Sequence, residues 1–154
     1  MDYSYMTCPF GHLLLESNYD TLERICFCHE KPNSSSANGD CSVLNETKKQ
    51  LNDYFNRKRK QFSVKIRMNG TAFDQKVWSA IQTIPYGETM SYGIIAKIIG
   101  QPTAFRAVGR ALGRNPLPIV IPCHRVIGKN GNLVGFSAGL NIKKQLIEHE
   151  RCSI

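Results

Sequence analysis

No stretch of this sequence approaches the roughly 18 consecutive apolar residues that a membrane span needs. The opening residues, with Asp2 and several polar side chains, also lack the basic-then-apolar pattern of a secretory signal. A soluble, intracellular protein is therefore expected. A dense cysteine framework is missing as well: Cys8, Cys26, Cys28, Cys41, Cys123 and Cys152 are scattered, and nothing directs the chain to an oxidising compartment, so they read as free thiols. Acidic residues are scarce in one part only. From Met1 to Asn69 there are ten Lys or Arg against eight Asp or Glu, whereas from Gly70 to Ile154 there are ten against four. Most of the formal charge of +8 thus lies in the second part, which suits either a polyanionic partner such as nucleic acid or simple solubility.

With 154 residues the chain is long enough for one domain or two small lobes with a genuine core, and no assembly beyond a monomer needs to be invoked. Leu13–Leu15 and Leu22, Ile25 and Phe27 read as short strands either side of a turn at Asn18, Tyr19 and Asp20. Residues 32–40, with three consecutive serines and Asn38-Gly39, read as a loop. Leu44, Thr47, Leu51, Tyr54 and Phe55 recur at helical spacing, and Phe62, Val64, Ile66 and Met68 alternate as a strand would. Gly70 and Thr71 mark a boundary, because Thr71 suits the N-cap of a helix carrying Phe73, Val77, Trp78, Ile81 and Ile84 on one stripe. The expected class is α+β: a small strand-rich lobe over residues 1–69 packed on a mostly helical lobe over residues 70–154.

Within the second lobe Ser91 suits the cap of a short helix bearing Ile94, Ile95, Ile98 and Ile99. Gly100, Gln101, Pro102 and Thr103 then supply a turn and a fresh N-cap. A helix from about Ala104 to Gly113 follows, with Phe105, Val108 and Leu112 set to face the first helix and Arg106, Arg110 and Arg114 along one flank. This is either a helix-turn-helix reader of DNA or an ordinary helical hairpin with a solvated arginine face. The small side chains at Ala104, Ala107, Gly109, Ala111 and Gly113 favour close approach to another surface, and the arginines suggest phosphate.

The segment Pro116-Leu117-Pro118-Ile119-Val120-Ile121-Pro122-Cys123-His124 holds a thiol rigidly beside an imidazole. A cysteine in apolar surroundings is normally inert, so a reactive one needs a base at hand, and His124 would need a partner to fix its tautomer. Glu150 lies three and four residues beyond the apolar positions Ile147 and Leu146 of the last helical pattern, which turns it towards the core and makes it a candidate partner. Packing alone for the Cys-His pair, and a fraying helix end for Glu150, are the structural alternatives.

Taken together, these residues resemble the O6-alkylguanine-DNA alkyltransferases, the methylated-DNA-protein-cysteine methyltransferases. Ile121-Pro122-Cys123-His124-Arg125-Val126 is similar to the family's active-site signature. Gly70-Thr71, Val77-Trp78, Ile84-Pro85-Tyr86-Gly87, Ser91-Tyr92, Arg106-Ala107-Val108-Gly109, Asn115-Pro116 and Gly139-Leu140 match in order, with weaker matches at Pro9-Phe10-Gly11 and Gln50-Leu51. The resemblance implies direct-reversal DNA repair without a cofactor, on double-stranded DNA containing O6-alkylguanine, with O4-alkylthymine as a further possible substrate. Cys123 would accept the alkyl group irreversibly, activated through a water by His124, with Glu150 orienting the histidine and Asn115 holding the tight turn. Tyr92 would protonate the leaving base, and Arg106 would fill the gap left by the flipped nucleotide. Thr103, Ala107, Gly109 and Arg110 would join Tyr92 and Arg106 at the DNA, and Val126, Phe136 and Ser137 would line the base pocket.

The chain departs from the family pattern at Asp74, where glutamine is usual, at Phe136, where tyrosine is frequent, and at Ala138, where glycine is usual. Cys26, Cys28 and His29, joined by Cys8 or His12, form a conceivable zinc set, but Cys-x-Cys spacing is poor for a structural site and no metal is expected. Two other classes remain: a Cys-His thiol hydrolase, which would need an oxyanion pocket and would turn over, and a non-catalytic damage sensor, against which Cys123 argues. The compartment would be cytoplasmic in a prokaryote and nuclear in a eukaryote.

Overall fold

The first strand is one that apolar periodicity does not announce. Asp2–Cys8 forms β1 because its inward positions are small: Ser4 and Cys8 are buried while Tyr3 and Thr7 are exposed. The computed structural model describes residues 1–28, 41–131 and 139–152, in two units, Met1–Met68 and Asn69–Ile154. In the first unit β1 pairs antiparallel with β2 (Gly11–Asn18), and β2 with β3 (Thr21–Cys28), in the order β1-β2-β3. The hairpin between β2 and β3 turns on Tyr19, at φ 55°, and Asp20. Leu13, Leu15, Leu22 and Ile25 are buried, as are Val43, Leu44, Leu51 and Tyr54 of helix α1 (Ser42–Phe55).

The alternating segment from Phe62 to Met68 is not a strand. Its odd and even side chains do alternate between half-buried and exposed, but its backbone meets β3 at one residue only. Leu22 N–H donates to Lys65 O at 2.8 Å and Arg67 N–H donates to Leu22 O at 3.0 Å. Further along, a side chain takes the place of a ladder: Ser63 N–H donates to Gln50 Oε1 at 2.9 Å. Alternation reports which face is covered, not whether a neighbouring strand exists.

The second unit opens on α2 (Ala72–Ile81), closed at its start by a capping box in which Thr71 Oγ1 accepts from Asp74 N–H and Asp74 accepts from Thr71 N–H. The helix ends before Ile84, which is nonetheless buried in the turn beyond. Trp78 is fully buried and its indole N–H donates to Ala111 O at 2.9 Å. Gly70 makes room for it, since a Cβ there would stand 2.4 Å from the indole ring. The two-residue strand β4 (Met90–Ser91) pairs parallel with β5 (Val126–Ile127). Helix α3 (Tyr92–Ile98) is capped by Ser91, whose Oγ accepts from Ile94 N–H at 3.2 Å.

Helix α4 (Phe105–Gly113) departs from the sequence reading at both ends. Its N-cap is Ala104, without a side-chain bond, rather than Thr103, because Ala104 N–H closes the preceding turn onto Gln101 O. Val108, Ala111 and Leu112 are buried, but Phe105 is 49% exposed: it has the right helical phase, yet as the first residue of the helix it lies beyond the layer that covers Val108. Arg114 does not join Arg106 and Arg110 as a free flank. It is the C-cap, and its guanidinium grips Asp74 through Nε at 3.2 Å and Nη2 at 2.6 Å. Helix α5 (Leu140–Arg151) completes the unit, with Ile142, Lys143, Leu146, Ile147 and Glu150 buried. Among the described residues no helix is long and apolar enough to cross a membrane.

Candidate active site

The apolar run 117–121 is held at both ends by one side chain. Asn115 Oδ1 accepts from Leu117 N–H at 2.9 Å, and Asn115 Nδ2 donates to Ile121 O at 2.8 Å. Between them Ile119, buried and β-branched, sits at φ 76°, a left-handed conformation that costs an L residue about 1–2 kcal/mol. The clasp therefore retains a strained loop, and the chain leaves it at Pro122 into a single 3-10 turn, Cys123–Arg125. Cys123 is 5% exposed and His124 fully buried.

Glu150, brought in from α5, collects the charges of this turn. His124 Nε2 lies 2.6 Å from Glu150 Oε2, Arg125 Nε donates to Oε1 at 2.8 Å, and Arg125 Nη2 donates to Oε2 at 3.1 Å. The Ile84-Pro85-Tyr86-Gly87 turn after α2 supplies three further contacts. Ile84 O accepts from Arg125 Nη1 at 2.8 Å, the Tyr86 ring lies 5.7 Å from the guanidinium, and Gly87 N–H donates to Glu150 Oε1 at 3.2 Å. Burial alone would raise the carboxyl of Glu150, but His124 and Arg125 outweigh it and hold that carboxyl far below the usual range.

An ionised carboxylate can only accept, so the proton between His124 and Glu150 belongs to Nε2, which leaves Nδ1 as the acceptor atom of the ring. Nδ1 is buried with no hydrogen-bond partner among the described residues. Burial also lowers the pKa of His124, against the pull of Glu150, so the imidazole rests neutral and able to take a proton. Burial pushes the Cys123 thiol up to about 11, offset in part by the Asn115 side chain and the charge of Lys143. At rest the sulfur is a thiol, and a base is needed to make it a nucleophile.

These shifts carry a definite sign for stability. His124 stays neutral in the fold where an unfolded chain would take a proton below 6.5, and Glu150 stays ionised where an unfolded chain would be protonated below 4.5. Both make the unfolded state bind more protons as pH falls, so stability drops below about pH 6.5 and more steeply below about pH 4.5. Melting temperatures between pH 8 and pH 4 test this, and a flat or rising profile from pH 7 to pH 5 would contradict it.

Lys143 was not singled out as a site residue, nor was Arg125. Lys143 is fully buried, its ammonium is lowered by burial to about 8, and its Nζ lies 5.9 Å from the centre of the Tyr92 ring. The signal was present: Lys143 stands three and four residues before Leu146 and Ile147 on the buried stripe of α5. Burial also raises the Tyr92 hydroxyl, with Cys123 adding to it. Tyr92 is half-buried at the start of α3, over α4 at Gly109, where a Cβ would stand 3.7 Å from the ring. Arg106 and Arg110 are exposed on α4, Ala107 is half-buried and Thr103 is exposed before the helix. Val126 is buried in β5, while Phe136, Ser137, Ala138 and His29 lie outside the described residues.

A buried thiol followed by a histidine bound to a glutamate, in the unit that also carries a short helix pair with exposed arginines, joins a candidate nucleophile and its base to a basic surface. Residues 72–152 match the family described as 6-O-methylguanine DNA methyltransferase, DNA binding domain, and residues 1–68 match 6-O-methylguanine DNA methyltransferase, ribonuclease-like domain. The methylated-DNA–protein-cysteine methyltransferase of Methanosarcina acetivorans is 44% identical over 155 residues, covering 97% of this chain and 98% of the relative. That of Mycobacterium tuberculosis is 42% identical over 151 residues, covering 97% and 92%. The crystal structure of Mycobacterium tuberculosis OGT in complex with DNA superposes with a TM-score of 0.90 at 40% identity, covering 99% of this chain and 94% of that one. The chain belongs to the 6-O-methylguanine DNA methyltransferase family.

Proposed function

We propose that this protein repairs DNA by direct reversal, moving the alkyl group of O6-alkylguanine in a duplex onto Cys123 and keeping it there. The observation that carries this reading is the Glu150–His124 pair, which leaves Nδ1 as a buried acceptor on the residue that follows the buried thiol of Cys123. His124 takes the thiol proton through one bridging water. The sulfur then attacks the alkyl carbon in line, forming the S–C bond as the C–O6 bond breaks, and the electron pair leaves with the guanine. Tyr92 protonates N3 of the departing base, which leaves as a neutral molecule, and the proton taken at sulfur restores the hydroxyl. The product is a thioether that no nearby group can cleave, so each molecule reacts once and no cofactor is consumed.

The target atom is buried in the base stack, so the nucleotide must be extruded at a cost of a few kcal/mol. The α3–turn–α4 unit acts as a helix-turn-helix: Arg106 fills the gap, while Thr103, Ala107, Gly109 and Arg110 meet the backbone. On this reading Val126 lines the pocket for the displaced base, and Phe136 and Ser137, expected there by resemblance, lie outside the described residues. The protein works as a monomer inside the cell, in the cytoplasm of a prokaryote or the nucleus of a eukaryote. The test is mass spectrometry after mixing with duplex DNA containing O6-methylguanine. One methyl mass is expected on the peptide carrying Cys123 and on no other cysteine peptide, with transfer ending at one equivalent. Turnover beyond one methyl per molecule would overturn the irreversible-acceptor reading.

A further inference from the structure

Beside α3 and α4 lies a groove of about 690 Å³, lined by Tyr92, Ile94, Lys97, Phe105, Arg106 and Lys129 among others. Two large apolar side chains of this groove stand open to solvent, Ile94 at 46% and Phe105 at 49% exposure. Single exposed apolar residues need no explanation, but two lining one groove, with Lys97, Arg106 and Lys129 beside them, mark a surface suited to a partner. The mixture selects the partner. A duplex offers anionic phosphates on a frame of apolar sugars and base faces, and cations around an apolar strip match both parts.

Resting on the repair reading above, we propose that Phe105 is an apolar wedge, which enters the duplex at the base step beside the displaced nucleotide while Arg106 occupies the gap itself. Consecutive helical residues diverge by about 100°, so Phe105 and Arg106 cannot enter the same space and address neighbouring steps. Their chemistry divides accordingly. A guanidinium can replace the hydrogen bonds of a missing base, but it covers poorly the base face that unstacking exposes. An aromatic ring covers that face, and apolar side chains inserted between base steps are a general means of kinking DNA. Phe105 is placed for this by the feature that disagreed with its helical phase: it is the first residue of α4 and stands half open to solvent.

The test compares wild type, Phe105→Ala and Phe105→Leu on a duplex containing O6-methylguanine and on O6-methylguanine as the free base. Phe105→Ala should slow transfer from the duplex about ten-fold, the size of one base–aromatic stacking contact, with Phe105→Leu between it and wild type and the free-base rate unchanged in both. A 2-aminopurine placed next to the lesion should brighten when wild type binds and stay dim with Phe105→Ala. An unchanged duplex rate, or 2-aminopurine brightening retained in Phe105→Ala, overturns the wedge and leaves the groove to a protein partner. Equal losses on duplex and free base overturn it too, by making Phe105 a general support of the fold. A wild-type protein inert on both substrates brings down the repair reading itself, and the wedge with it.

Discussion

Cys123→Ser should take up no methyl group from damaged DNA, on any time scale at which wild type reacts to completion, while its affinity for the same duplex is unchanged. At a saturated alkyl carbon a hydroxyl is a far weaker nucleophile than a thiolate, and the displacement has no acyl oxyanion whose stabilisation would help a serine and its general base. Sulfur is already at a disadvantage in this site, where burial pushes the thiol up to about 11, and in the proposed mechanism His124 has to remove the proton as the reaction proceeds. Oxygen, starting from a much higher pKa, gives up its proton at a far greater cost. Binding rests on other side chains, since Arg106 and Arg110 are exposed on α4 whereas Cys123 is buried. Intact-mass measurement paired with a fluorescence-anisotropy titration reads the two quantities separately. A serine variant that lost DNA affinity along with transfer would show that chemistry and binding are not separable as described.

Arg125→Met should cost about 3–5 kcal/mol of stability, the usual penalty for removing one partner of a buried ion pair. In a protein of this length that lowers the melting temperature by roughly 10 °C or more. Without Arg125, Glu150 loses two charge-assisted hydrogen bonds and remains buried against His124 and Gly87 N–H. Ile84 O loses its donor as well. The carboxylate then draws a proton onto His124, which converts the base into an imidazolium and slows transfer near neutral pH. Combining Arg125→Met with Glu150→Gln should recover part of the stability by removing the stranded charge, although not the activity. Thermal melts of the two single variants and the double variant give the coupling directly. If Arg125→Met melted with wild type, the ion pair would be contributing nothing beyond what an apolar side chain supplies.

How much of this was legible in the sequence depends on how far each feature reaches along the chain. Helix α2 was visible because Val77, Trp78 and Ile81 repeat on one stripe and Thr71 and Asp74 form a local cap. Strand β1 was not, since Ser4 and Cys8 face inward where large aliphatic side chains would have made a pattern. The strand expected at 62–68 failed for the opposite reason: its pattern is real, but Gln50 from α1 takes up the backbone group that a ladder would have used. Glu150 could be turned inward from periodicity alone, and Lys143 stands in the same helical pattern, which places it on the buried stripe without assigning it a role. Arg125 and the Asp74–Arg114 grip were out of reach, because their partners stand 25 and 40 residues away and no local rule connects them. Phe105 shows the limit of phase arguments at a helix terminus, where being on the buried stripe does not guarantee that anything lies opposite.

The burial of Cys123 also bears on how long an unused molecule stays fit for use. A protein that reacts once is a stored reagent, and its sulfur must survive peroxides and stray electrophiles until a lesion arrives. Oxidation follows thiolate character and exposure. Cys123 has little of either, being 5% exposed and protonated at neutral pH. Cys152 is exposed, and Cys41 has its pKa lowered by the Ser17 hydroxyl. Ambient oxidants therefore meet these two sulfurs first, at positions outside the Asn115 clasp and the Glu150 cluster. The depth that makes Cys123 a reluctant nucleophile towards solution is in this sense its preservative.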